Sequence, residues 1–337
     1  MGIFLNSTAP FEAYKITALD KYFVDKTMLI EELIPSIGRE QRFLCITRPR
    51  RFGKTVMANM VASYFGKAID SSFVFEHLAI AKSPVYEEYI NKYDVIYIDF
   101  SRLPENCQTY EEYINRIKTG IKEDLLEEFS ELELKEEMSL WDILAKIFQK
   151  TNRKFMFIMD EWDAVFHMPF ISQKERQEYL LFLKNLLKDQ VYVELAYMTG
   201  ILPIAKYSAA SELNMFVEYN MATRERFSSY FGFSEEEVDK LFQIYSETTI
   251  RPRITRHDLK IWYDGYCTAS GEQLYNPRSI ICALSDNQLG SYWTGSGPYD
   301  EIFYYIKGNI DEVREDFILM ISGEHIEAKV QEYAATA

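Results

Sequence analysis

Residues 43–56 read FLCITRPRRFGKTV. The first five are apolar or β-branched and too few for a helix, so a strand buried on both faces is expected over 43–47. From residue 55 to 66 the apolar spacing turns helical. Between them lies a basic turn: Arg48, Pro49, Arg50, Arg51, Phe52 and Gly53. A strand, a tight loop and a helix opening on Gly-Lys-Thr form a setting in which backbone N–H groups and the helix dipole collect an anion. The spelling departs from G-x-x-x-x-G-K-[ST], because Arg48 stands where the first glycine belongs. That glycine serves the entry turn, and Pro49 presets φ there instead. Gly53 lets the backbone approach phosphates closely. Lys54 is expected to reach the β- and γ-phosphates, and Thr55 to offer its hydroxyl to Mg²⁺. Arg48, Arg50 and Arg51 add positive charge that phosphate favours.

Outward from this stretch, short apolar runs recur at 95–99 (VIYID), 155–160 (FMFIMD), 193–198 (VELAYM) and, more weakly, 215–219 (MFVEY). Helical patterns fill 110–129, 139–150 and 173–188. Strands alternating with helices predict an α/β fold: a parallel sheet with helices on both faces. From about residue 227 the strand pattern fades. Ser234 stands at the start of a helix with Glu237 at capping-box spacing, and 298–308 and 311–322 continue the helical pattern. Two units are expected: a core over 1–226 and a mainly helical lid or winged-helix-like unit over 227–337.

A phosphate loop calls for an acid at the tip of another buried strand. FMFIMDEWD supplies Asp160, expected to hold Mg²⁺ mostly through water, and Glu161, expected to orient and deprotonate the attacking water. Asp99 is the rival for the metal but is followed by Phe100, not by a second acid. This order of motifs fits P-loop NTPases of the additional-catalytic-glutamate type. There strand four lies between strands one and three, and a polar residue at its tip senses the γ-phosphate; Thr199 fits that role. Arg224 and Arg226 are the expected sources of an arginine finger, in cis or from a neighbouring subunit.

The chain of 337 residues is 47% apolar, enough for a sizeable core, and carries a net charge of −15 with a pI near 4.9. That balance excludes an overall basic footprint for nucleic acid. The four cysteines lie far apart, without C-x-x-C spacing, and read as reduced thiols. No basic start followed by an apolar run opens the chain, and no run reaches the ~18 residues of a membrane span. The cytoplasm is expected.

YFVDKTMLIEELI, TRPRRFGKTVMANMVASYF, YDVIYIDFS, FIMDEWDAVF, YMTGILPIAKYS, ELNMFVEYNMA, WYDGY and YNPRSI occur in this order over nearly the whole chain. In them the chain resembles the bacterial AAA-ATPase-like family, whose members often carry a C-terminal nuclease of the PD-D/E-x-K type. The resemblance implies a Mg²⁺-dependent ATPase in which residues 48–55 hold the nucleotide and Asp160 and Glu161 serve metal and water. It implies that YFVDKT (22–27) lies near the base, and that WYDGY and YNPRSI mark the lid. The Arg-Pro-Arg-Arg-Phe-Gly-Lys spelling is the family's own form of the loop. ATP is expected rather than GTP, on the reading that no guanine-recognising N-K-x-D is present. The chain stops near where the nuclease would begin, and Glu327-Ala-Lys329 alone does not make its site. The expectation is a truncated form, or a chain that works without a nuclease. The expected partners are the nucleotide and a protein, whether a second copy or another chain. Nucleic acid is expected only through a partner or a nuclease domain, and no membrane partner is expected. A nucleotide-holding regulatory module with little turnover, acting on a DNA-processing nuclease, is the alternative function.

Overall fold

The computed structural model describes residues 2–204, 212–221 and 223–292. Its helices are α1 (Ala9–Ala18), α2 (Leu29–Leu33), α3 (Lys54–Phe65), α4 (Ser72–Phe75), α5 (Tyr86–Tyr89), α6 (Tyr110–Glu128), α7 (Leu140–Thr151), α8 (Gln173–Leu187), α9 (Glu235–Thr248), α10 (Arg256–Tyr263) and α11 (Pro277–Asp286). Its strands are β1 (Phe43–Thr47), β2 (Asp94–Asp99), β3 (Phe155–Asp160), β4 (Val193–Gly200), β5 (Val217–Tyr219), β6 (Asp264–Cys267) and β7 (Gln273–Tyr275).

The first five strands form one parallel sheet in the order β2-β3-β4-β1-β5. β4 thus lies between β1 and β3, as the motif order predicts. β1 and β3 are buried at every position, which is why they read as unbroken apolar runs. Alternate residues feed two separate cores. Phe43, Cys45, Ile96, Ile98, Phe157 and Met159 face α6, α7 and α8. Leu44, Ile46, Val95, Met156, Ile158 and Tyr197 face α1 and α3. Helices therefore cover both faces.

Side-chain caps fix the helix starts. Thr109 with Glu112, Ser172 with Glu175 and Ser234 with Glu237 each form a reciprocal capping box. Beyond residue 227 a third apolar cluster gathers Phe233, Val238, Leu241, Tyr245, Leu259, Tyr275 and Ile280, joined by Tyr22 from the other end of the chain. Lys26 of the same N-terminal segment donates to the Ser229 carbonyl at 2.6 Å and pairs with Glu237 at 2.5 Å. The C-terminal unit carries an antiparallel pair, β6 and β7, that the fading strand pattern did not announce. Part of the expected motif WYDGY is strand β6. The helices expected at 298–308 and 311–322, and Glu327-Ala-Lys329, lie outside the described residues.

Candidate functional site

β1 ends at Thr47 and α3 begins at Lys54, so the loop of interest leaves the C-terminal edge of the sheet. Arg51 and Gly53 both take positive φ, 69° and 86°. A Cβ at Gly53 would meet nothing within 4 Å, so the glycine answers a conformational demand and not a spatial one. The first N–H groups of α3 have no acceptor within the helix. The buried Lys54 ammonium donates to the carbonyls of Arg48 and Pro49, each at 3.0 Å. Burial pulls its pKa down to about 8, against the opposing pull of Asp163, Asp160 and Glu161.

Asp160 is buried at the tip of β3. The Thr199 hydroxyl at the end of β4 donates to its carboxylate, and the Thr55 hydroxyl bonds it as well. Burial raises the Asp160 pKa, and these hydroxyls oppose the rise. Glu161 sits in the left-handed region at φ 51°, and its N–H donates to Thr199 Oγ1 at 3.3 Å. Its carboxyl is also held above the usual range, first by burial and then by the charges of Asp160 and Asp99. The sheet register thus brings together Lys54, Thr55, Asp160, Glu161 and Thr199 from three different strand ends. Asp99 lies beside Asp160 in the register. Its carboxylate is engaged by Ser101 and by Arg102 Nε at 2.9 Å.

The loop, Thr55 and Glu161 open on a cavity of about 490 Å³ lined by Arg50, Arg51, Gly53, Lys54, Thr55, Glu161 and Asp163, with Pro277, Arg278, Ile281 and Cys282 of α11 also in its wall. A second cavity of about 250 Å³ adjoins it and shares Gly53, Val56, Pro277 and Ile281. Tyr22, Phe23, Val24 and Lys26 line this second space with Phe52, Met57 and Phe233. Part of the YFVDKT motif therefore stands beside the loop.

Of the expected site residues, Arg50, Arg51, Gly53, Lys54, Thr55 and Glu161 line the larger cavity and Phe52 the second, Pro49, Asp160 and Thr199 line neither, and Arg48 and Arg226 are bound elsewhere. Arg48 is 1% exposed, and its guanidinium turns away from the cavity to donate to Thr47 O, Tyr219 O and Ser228 Oγ. Arg226 is bound to Glu32 through its carbonyl at 3.0 Å and its carboxylate at 3.4 Å, and it does not line the cavity.

Asp163 and Arg278 are among the residues of the cavity wall that were missed. Asp163 accepts from the N–H groups of Ile201 and Leu202 at 2.9 and 3.0 Å, and heads the carboxylates that raise the Lys54 pKa. A Cβ at Gly200 would stand 3.0 Å from Asp163 and 2.4 Å from Trp162, so only glycine permits this approach. The signal was the third acid of Asp160-Glu161-Trp162-Asp163. Arg278 comes from YNPRSI, but a lone arginine after a proline carries no chemistry of its own in sequence.

The basis for preferring ATP needs correction. The tetrapeptide N-K-x-D does occur, as Asn91-Lys92-Tyr93-Asp94. It runs into the start of β2, at the end of the parallel sheet opposite the loop. Asn91 Nδ2 donates to Gly66 O and Ile69 O at 2.8 and 2.9 Å. Asp94 accepts from Asn6 and pairs with Lys67. Neither lines a cavity beside the loop.

Among the described residues, no group of three or more His, Cys, Asp or Glu side chains stands ready as a metal cage, and no helix is long and apolar enough to cross a membrane. An uncharacterized protein in the vnfD 5′ region of Azotobacter chroococcum mcd 1 is 23% identical over 287 residues, covering 82% of this chain. The chain spans about half of that relative, 51% of its length. The solved Aeropyrum pernix ORC2 protein in its ADPNP-ADP complexes aligns at 12% identity and TM-score 0.37, over 77% of this chain and 59% of that one. Its ADP form gives 11% and 0.36, over 77% and 60%. The profile of the AAA-ATPase-like family, described as "Predicted AAA-ATPase", matches residues 11–210. The match spans more than half of the 337 residues, and the chain belongs to that family.

Proposed function

We propose that this chain binds ATP with Mg²⁺ and hydrolyses it, and that turnover reshapes the contact between the core (1–226) and the C-terminal unit (227–337). One observation carries the reading. A cationic helix start meets Glu161 and Asp163 at a single cavity, Thr55 of that helix start is bonded to the neighbouring buried Asp160, and an apolar cavity of the kind a base enters opens beside it. The larger space falls within the range of ligand pockets, roughly 300–1,000 Å³.

Residues 50–55 are assigned to the phosphates, with the Lys54 ammonium as the point charge on the outer groups. Thr55 and Asp160, already bonded to each other, form a donor set suited to Mg²⁺. That ion prefers one or two carboxylates and takes its other oxygens from phosphate and water. When bound, Mg²⁺ would neutralise phosphate charge and polarise the group transferred. Glu161, held above the ordinary carboxylate range by burial and neighbouring acids, is suited to take a proton from water. Thr199 holds Asp160 with its hydroxyl proton and Glu161 with its oxygen, so it fixes the spacing of the two acids. Arg278, which lines the cavity from α11, takes the charge-offsetting role in place of Arg226. The apolar cavity is assigned to the base, and ATP is preferred because N-K-x-D lies at the opposite sheet edge.

Equilibrium binding and phosphate release test the proposal. Lys54→Ala is expected to lose ATP binding, while Glu161→Gln binds ATP and releases no phosphate. Wild-type affinity in Lys54→Ala would overturn it.

A further inference from the structure

The C-terminal unit grips the phosphate loop, and Arg48, the residue that breaks the usual spelling of the loop, takes part in the grip. Alternate positions 48, 50 and 52 each contact that unit. The buried Arg48 guanidinium reaches Ser228 Oγ at 3.4 Å and lies 5.1 Å over the Phe231 ring. It also donates to Tyr219 O at 2.9 Å, tying the loop to β5. The carbonyl of Arg50 accepts from Asn276 Nδ2 at 3.2 Å. The carbonyl of Phe52 accepts from the Gly232 N–H at 3.3 Å. The Phe52 ring, 1% exposed, meets Tyr266 edge-on, with centroids 4.6 Å apart. Gly232 has φ 83°, and a Cβ there would stand 3.0 Å from the Phe52 ring, so the contact is as close as backbone allows.

We propose that Arg48, Phe52, Tyr266 and Asn276 are positioning residues for the phosphate loop. A glycine at position 48 would shape the entry turn locally; here the C-terminal unit sets the direction of the loop amides from outside. Affinity for phosphates and the conformation of the C-terminal unit are therefore coupled. The coupling is reciprocal: a phosphate chain that tightens the loop must tighten the grip by the same factor. The inference rests on the reading that residues 50–55 hold a triphosphate.

The test uses Tyr266→Leu and Asn276→Ser in the full chain. Neither residue lines either cavity. Asn276 also caps α11 through Ser279 N, and serine keeps a cap while removing the amide donor to Arg50. Calorimetric titration compares ATP with adenosine, which fills the apolar cavity but has no phosphates. Each variant is expected to lose about tenfold in ATP affinity, the worth of one hydrogen bond or ring pair. Adenosine affinity and the far-ultraviolet dichroism should stay as in the wild type. Unchanged ATP affinity would overturn the proposal, as would an equal loss for both ligands. Should Tyr266→Leu unfold, Asn276→Ser decides. A wild-type chain that binds no ATP would defeat the nucleotide reading itself, a result distinct from a wild type that binds while the variants discriminate nothing.

Discussion

Lys54 shows how burial sets the working range of one charge. The folded chain lowers its pKa to about 8 from the ordinary 10.5, with burial as the chief cause. The unfolded chain therefore holds this proton more tightly, and unfolding takes up a proton between those two pH values. For this group alone, stability rises with pH across that window, and its destabilising effect is fully present below about pH 8. Phosphate binding runs the other way, because it needs the ammonium charged. Nucleotide affinity is expected to fall as pH climbs above about 8, by up to tenfold per unit. Titrations at stepped pH check this, and a flat profile would show that Lys54 carries no phosphate. The Gly-Lys-Thr and Asp-Glu groups were legible because each is a local spelling at the tip of an apolar run. The place of Arg48 was not: its acceptor on Tyr219 lies 171 positions along the chain, and no local pattern encodes that distance.

At the scale of elements, the sheet was readable for a physical reason. Strands covered on both faces must be apolar throughout, so β1 and β3 stood out as unbroken runs. β6 was hidden because its four residues are half-buried or exposed and include Asp264 and Gly265. α4 and α5 are four residues each, too short for any period to show. α1 was diluted by Ile16 on its exposed side, 74% accessible. The turn after β4 shows what a single acid does for an element. Asp163 satisfies the N–H groups of Ile201 and Leu202, and Asp163→Ala leaves both without their acceptor. A loss of about 1–2 kcal/mol is expected, since the two stranded donors are part-buried and cost less than the roughly 1–3 kcal/mol each of fully buried ones. Asp163→Asn keeps an acceptor oxygen and should retain most of that stability. Denaturant midpoints of the two variants check this; equal losses would mean that charge, and not hydrogen bonding, holds the turn.

Over the whole molecule, the two ends of the described chain are stitched together. Tyr22 belongs to the apolar cluster of the C-terminal unit, and Lys26 is bound to Ser229 and Glu237. The boundary near residue 227, read from sequence as a break, is crossed by an N-terminal strap. One cooperative melting transition is expected, with calorimetric and van't Hoff enthalpies equal. Two resolved transitions in a scanning experiment would contradict it. A C-terminal unit whose apolar cluster includes Tyr22, a residue that precedes β1, would leave that cluster incomplete if it were moved without the segment that carries Tyr22.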